Sequence, residues 1–205
     1  MNFVEKLTPI LKWPAGYRLL RGIVGGDALW RTYLDEYVKP MPGEKVLDIG
    51  CGPADVLRHL PPVDYTGLDR SEEYIHSAAA RFGSQGRFWC SDVSRVALEQ
   101  ERGTFSLALA TGVVHHLNDT QASDLFSLAR RALRPNGRLI TFDGCFVPGQ
   151  SNVARWMLAH DRGKFVRTRA EYERLASAAF SKVEGYCRHD LLRLPYTHLI
   201  MRCTN

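Results

Sequence analysis

The stretch Val46-Leu47-Asp48-Ile49-Gly50-Cys51-Gly52-Pro53-Ala54 decides how this chain is read. An apolar run carrying one acid passes into a loop with glycines at alternate positions, and a helical pattern over Pro53 to Leu60 follows. Glycine has no Cβ, so a ligand can lie against its backbone, and a helix start offers N–H groups without intrahelical partners. Strand, glycine loop and helix in that order point to a nucleotide or nucleoside site. A dinucleotide fingerprint needs a third small residue three positions after Gly52, where Asp55 stands. That argues against a nicotinamide or flavin cofactor. The other reading of the same residues is a tight turn that binds nothing.

Outward from this stretch, short apolar runs alternate with helical patterns. Strands are predicted at Lys45 to Ile49, Asp64 to Leu68, Arg87 to Cys90, Phe105 to Ala110 and Arg138 to Phe142. Helical patterns fall at Glu72 to Phe82, Ser94 to Gln100 and Gln121 to Leu133, the last with Leu125, Leu128, Ala129, Ala132 and Leu133 on one face. Such alternation implies parallel strands joined by right-handed crossovers. Two more helical patterns, Asn152 to His160 and Arg169 to Phe180, precede two strands, Lys182 to Arg188 and Thr197 to Cys203, that can pair around Leu194-Pro195. Before the sheet, Ala28, Leu29, Thr32, Tyr33, Tyr37 and Val38 recur at helical steps until Pro40 and Pro42. The expected fold is α/β: a Rossmann-like, doubly wound, seven-stranded sheet, mostly parallel with a C-terminal antiparallel hairpin, plus N-terminal helices.

A length of 205 residues suits one domain. We divide it into an N-terminal helical lid (1–40), a cofactor-binding core (41–143), a substrate-covering insert (144–181) and the hairpin (182–205). With 45% hydrophobic and 24% charged residues the composition is that of an ordinary soluble protein. The longest run without a formal charge, Gly103 to Asn118, falls short of the about 20 apolar residues of a membrane span. Glu5, Lys6, Pro9, Lys12 and Pro14 interrupt the N-terminus, so no secretory stretch is expected and the compartment is expected to be cytoplasmic. Five irregularly spaced cysteines without a C-x-x-C pair read as reduced thiols, and no metal site is expected. The net charge of +5 is local: Arg155, Arg162, Lys164, Arg167, Arg169 and Arg174 face only Asp161, Glu171 and Glu173. These bases form either a solvated helix face or an attractor for an anionic substrate such as a carboxylate.

The loop resembles the first motif of the class I S-adenosylmethionine-dependent methyltransferases of small-molecule type. Asp48, Gly50 and Gly52 match its acid and alternating glycines, and Ala54 stands where the last glycine is common. Further motifs fall in the same order over residues 40–143. The resemblance implies S-adenosylmethionine as cofactor and S-adenosylhomocysteine as product, held in part by Asp48, Gly50, Cys51 and Gly52. Asp69, twenty-one residues after Asp48 at the end of the second strand, then accepts the ribose hydroxyls, and Arg70 lies along the adenine or in solvent. Asp92 accepts the adenine amino hydrogens and the Val93 N–H reaches a ring nitrogen; a turn or cap is the other role for such an acid. Ala110, Thr111 and Gly112, ending the fourth strand, bind the methionine ammonium through a carbonyl and line the methyl path.

Methyl transfer is an in-line displacement, so the protein chiefly positions the reactants and excludes water. His115 and His116 are the candidates for any proton transfer, with packing of the loop as their other role, and neither is preferred. Asp143, ending strand five, points toward the same mouth, to orient a substrate or a histidine. The chain lacks the Asn/Asp-Pro-Pro-aromatic element of amide and base N-methyltransferases, having Thr111-Gly112-Val113-Val114, and it lacks a Pro-Cys nucleophile. Nucleic acid is therefore disfavoured. Tyr17, Trp30 and Tyr33 on one side and Trp156, Met157, Phe165 and Tyr172 on the other predict an aromatic pocket for a partly apolar small molecule. The expected function is methyl transfer to a small-molecule O, N or C nucleophile. The rival readings are an RNA-directed methyltransferase, whose RNA affinity falls steeply with salt, and a non-catalytic adenosyl-binding or scaffold protein. Oligomeric state is left open by the sequence.

Overall fold

The computed structural model describes residues 26–91, 101–161 and 163–205. Asp92, Val93, the expected helix at 94–100, Tyr17 and Arg162 lie outside them. Strand β1 is Lys45–Ile49, β2 Asp64–Asp69, β3 Gly86–Cys90, β4 Phe105–Thr111, β5 Leu133–Phe146, β6 Arg167–Thr168, β7 Lys182–Arg188 and β8 His198–Thr204. The order across the sheet is β3-β2-β1-β4-β5-β8-β7. Pairing is parallel from β3 through β5, and antiparallel between β5 and β8 and between β8 and β7. The seven expected strands are all present. An eighth, the two-residue β6, pairs parallel with the end of β5. The direction of winding reverses between β1 and β4, and the carboxyl ends of strands at such a switch point are where ligands bind in open α/β sheets.

The helices are α1 (Gly26–Thr32), α2 (Glu72–Phe82), α3 (Asp119–Ala132), α4 (Asn152–Ala159) and α5 (Arg169–Ser177). Their starts follow from capping. Ser71 caps α2, Ser151 caps α4, and reciprocal capping boxes join Asn118 with Gln121 and Thr168 with Glu171. One face of the sheet packs on α3 and α5 through Leu125, Leu128, Tyr172 and Leu175. The other packs on Leu29, Tyr33, Leu34 and Val38 of the N-terminal segment and on Ala78 and Phe82 of α2. Arg138 within β5 donates to Glu44 and to the carbonyls of Val38 and Lys39, tying that segment to the sheet.

Three expectations are corrected. The helix over 53–60 is one 3₁₀ turn, Asp55–Arg58, because Ala54 enters it left-handed (φ 57) and Pro61 and Pro62 bar its continuation. The N-terminal helix changes after Thr32 into a π-helical stretch, Tyr33–Val38, closed by left-handed Lys39 ahead of Pro40. Strand β5 starts at Leu133 rather than Arg138; Leu133 pairs with Phe105, and the register shifts before Arg138 through a turn with Asn136 at φ 64.

Candidate active site

The loop after β1 takes its shape from three left-handed residues at alternate positions: Gly50 (φ 73), Gly52 (φ 53) and Ala54 (φ 57). The Gly50 and Cys51 N–H groups both donate to the Leu68 carbonyl, which ties the loop to the end of β2. A Cβ on Gly50 would lie 2.5 Å from Val113 Cγ2, so the loop after β4 closes directly over it. At Gly52 a Cβ would meet nothing within 4 Å. Gly50 thus fits a protein contact, and Gly52 faces open space.

Two acids flank this loop. Asp69 is half-buried and accepts the Gly52 N–H on Oδ2 and the Ser71 N–H on Oδ1, each at 2.9 Å. Those bonds hold its carboxylate at the rim with lone pairs remaining on both oxygens for hydroxyl donors. Asp48 is 2% exposed, accepts the Tyr65 hydroxyl on Oδ2 at 2.6 Å, and has no donor for Oδ1 among the described residues. Burial raises its pKa to about 7, partly opposed by the Tyr65 hydrogen bond and reinforced by the negative charge of Asp69. A buried carboxylate oxygen lacking a donor suits a cationic ligand, and the open side of Gly52 suits a ligand against the backbone. The residues present therefore fit S-adenosylmethionine, which carries an ammonium and a ribose diol.

Across the switch point, Gly112 at the end of β4 is left-handed (φ 72) and donates to the Phe142 carbonyl at 2.7 Å. Thr111 shares a 3.3 Å hydrogen bond with the buried Tyr33 hydroxyl, so the N-terminal segment reaches the same strand end. The following 3₁₀ turn, Val114–His116, carries both histidines. His115 is buried, with Nδ1 2.8 Å from Asp143 Oδ1 and Nε2 3.5 Å from Asp161 Oδ1. Burial by itself would pull its pKa down, but the hydrogen bond to Asp143 and then the nearby Asp161 carboxylate outweigh it and raise the value to about 9. His115 is therefore a charged imidazolium with both nitrogens engaged, and not a base near neutral pH. His116 is exposed, its ring centroid 4.2 Å from that of His115, and its pKa is lowered by partial burial and by the adjoining imidazolium. Environments that push two neighbouring titrations apart separate their roles.

The aromatic pocket is corrected. Tyr33 and Tyr172 are fully buried, with Tyr33 edge-on to Phe142 and the Tyr172 hydroxyl donating to the Gly144 carbonyl. Trp30 stacks on His59 and Trp156 on His160, and Met157 is half-buried. Phe165, 38% exposed, lies beside the Arg167 guanidinium. Of the basic insert, Arg155, Lys164, Arg169 and Arg174 are exposed as a solvated face requires, and the reading is corrected at Arg167 alone. Arg167 is buried, and it donates to Asp119 and to the Val114, Leu117 and Phe165 carbonyls. Arg169 pairs with Glu173 and Arg174 with Asp119.

Several site residues were not anticipated. Tyr65 partners Asp48, Val113 closes on Gly50, and Asp161 with Tyr196 completes the surroundings of His115. Asp161-Arg162-Gly163 carries a readable signal, since an Asp two residues before Gly favours a side-chain-closed turn, here made by the Gly163 N–H on Asp161 Oδ1 at 2.9 Å. Tyr65 and Tyr196 read only as ordinary aromatics.

Fold and site define the class: a doubly wound α/β domain with a left-handed glycine loop and two strand-end acids at its switch point. The chain is similar to the class I S-adenosylmethionine-dependent methyltransferases. A family model described as "Methyltransferase domain" matches residues 46–137. The chain is 26% identical over 161 residues to the ubiquinone/menaquinone biosynthesis C-methyltransferase of Cereibacter sphaeroides, covering 73% of this chain and 61% of that one. It is 30% identical over 133 residues to the demethylmenaquinone methyltransferase of Thermotoga maritima, covering 62% and 56% respectively. The chain thus spans less than two thirds of the length of these relatives. Among solved structures, a TehB-like S-adenosylmethionine-dependent methyltransferase from Corynebacterium glutamicum has a TM-score of 0.67 at 17% identity, covering 96% of this chain and 98% of that one.

Proposed function

We propose that this chain transfers the methyl group of S-adenosylmethionine to an oxygen, nitrogen or carbon of a small molecule. The observation that carries the reading is the left-handed loop at Gly50 and Gly52 set between Asp48, with its donor-free buried oxygen, and Asp69 at the rim. The cofactor supplies an electrophilic methyl on a sulfonium. Asp48 faces the ammonium, the Gly50-Cys51-Gly52 backbone allows close approach, and Asp69 takes the ribose hydroxyls. Arg70, Asp92 and Val93 serve the adenine end; Ala110, Thr111 and Gly112 line the methyl path. The cofactor held there would supply its methyl to the acceptor atom, and the acceptor's proton passes to neutral His116 or to solvent. Asp143 acts through His115. Relatives named as C-methyltransferases favour a carbon acceptor. Among the described residues no helix is long and apolar enough to cross a membrane, and we take the reaction to be cytoplasmic.

Isotopically labelled cofactor incubated with a metabolite extract tests the proposal, with label entering small molecules as the expected result. Label entering RNA, or binding with no transfer, would overturn it. In calorimetry Asp69→Ala should weaken binding of S-adenosylhomocysteine by at least about 100-fold, as removal of two charge-assisted bonds requires. Wild-type affinity in that variant would remove Asp69 from the site. Affinity should also depend on pH. Asp48 is protonated below about 7, and a neutral acid does not attract an ammonium, so binding weakens as pH falls from 8 to 6, by at most about tenfold per unit for one proton released. Replacing Asp48 with Asn should flatten this slope.

A further inference from the structure

Asp161 closes a chain of contacts that the fold does not need for its core. Its Oδ1 faces His115 Nε2 and accepts the Gly163 N–H, and its Oδ2 accepts the Tyr196 hydroxyl at 2.8 Å. His115 in turn holds Asp143 on β5 through both its backbone N–H and Nδ1. The Phe165 N–H donates to the His115 carbonyl at 2.9 Å, and a Cβ on Gly163 would overlap the His115 ring. Tyr196 crosses Gly144, where a Cβ would overlap its hydroxyl. One imidazolium thus joins four segments: the turn after β4, the end of β5, the loop after α4 and the residues before β8.

We propose that Asp161 is a positioning residue which, by clasping His115, holds residues 163–166 and Tyr196 over the reaction mouth while His116 beside it stays exposed. The functional part rests on the methyltransferase reading; the clasp itself does not. The charged and titratable groups around His115 are Asp143 from β5, Asp161 from the loop, the His116 ring on the same turn, and Arg167, which donates to the Val114 and Phe165 carbonyls on either side; Arg70 acts on His116 from beyond β2. The His115 pKa is raised from 6.5 to about 9, so its contribution is full below about pH 6.5 and is lost as pH rises through about 9. The Asp161 pKa is lowered from 3.8 to about 2, burial being outweighed by the nearby His115 imidazolium and the Gly163 hydrogen bond, so its contribution is present above 3.8 and is lost toward 2. The clasp is closed across the whole neutral range.

The test begins on the free protein by NMR. The His115 imidazole should titrate near pH 9 in the wild type and at least about one unit lower in Asp161→Asn, with Phe165 amide protection falling about tenfold. Tyr196→Phe, which removes one oxygen, should move both in the same direction by less. With cofactor and acceptor, the alkaline limb of kcat/KM should shift down with the His115 titration in Asp161→Asn, while the calorimetric affinity for S-adenosylhomocysteine is kept. An unmoved His115 titration or unchanged Phe165 protection would overturn the clasp, and a fixed alkaline limb would overturn its positioning role. Absence of cofactor binding in the wild type would instead overturn the methyltransferase reading and leave the NMR result standing.

Discussion

Gly50→Val should leave no measurable heat with S-adenosylmethionine or S-adenosylhomocysteine, a loss of at least about 100-fold in affinity. Two independent obstacles act there. The residue sits at φ 73, where a β-branched side chain is strained by about 1–3 kcal/mol. The new Cβ also starts 2.5 Å from Val113 Cγ2 and 3.0 Å from Cγ1, so the loop after β1 or the turn after Gly112 has to move. Both carry the proposed cofactor contacts. Gly52→Ala separates the two obstacles, because its Cβ meets no protein atom within 4 Å while its φ of 53 is mildly strained. It should melt close to the wild type and still bind weakly, since the added methyl occupies the open space proposed for the ligand. The pair is read by calorimetry beside thermal melting. Wild-type affinity in Gly50→Val would show that this loop does not hold the adenosyl group.

The parts of the fold that sequence pattern exposes are those where one local rule acts alone. Glu72 to Phe82 is read to the residue because Ser71 caps it and its apolar spacing is regular. Strand β7, Lys182–Arg188, is read equally well. The 53–60 segment fails because Ala54 is left-handed at a residue type that seldom is, and the same φ explains why glycine is common at that place in the alternating pattern. In the site, Asp48, Asp69 and Gly112 are legible because strand-to-loop junctions on one edge of an α/β sheet recur at readable intervals. The roles of the histidines are not legible. His115 and His116 are adjacent and identical in type, and only the tertiary placement of Asp143 and Asp161 charges one and leaves the other exposed. The basic insert misleads at Arg167 for the same reason. Charge counted along the chain does not reveal that Asp119, far away in sequence, lies beside Arg167 and Arg174.

Arg167→Glu and Arg169→Glu, two nearby substitutions of the same kind, should differ more than any composition argument allows. Arg167 is 7% exposed, and its guanidinium satisfies the carbonyls of Val114, Leu117 and Phe165 in the very turn and loop that surround His115. A glutamate there leaves those acceptors without a donor and sets a second carboxylate near Asp119. Because Asp119 is itself solvated, the ion pair contributes little and the orphaned carbonyls dominate. At about 1–3 kcal/mol for each of the three, the variant should lose at least about 3 kcal/mol and melt at least about 6–12 °C lower. Arg169 is half-exposed and pairs with Glu173 one helical turn away. Its reversal should change stability within about 1 kcal/mol, as exposed pairs of this spacing do. Arg169→Glu is therefore the variant that tests attraction of an anionic acceptor: turnover with wild-type dependence on salt would remove that role from the insert. A melting temperature for Arg167→Glu equal to the wild type would contradict its placement as the buried link between the loop after α4 and the turn that bears the histidines.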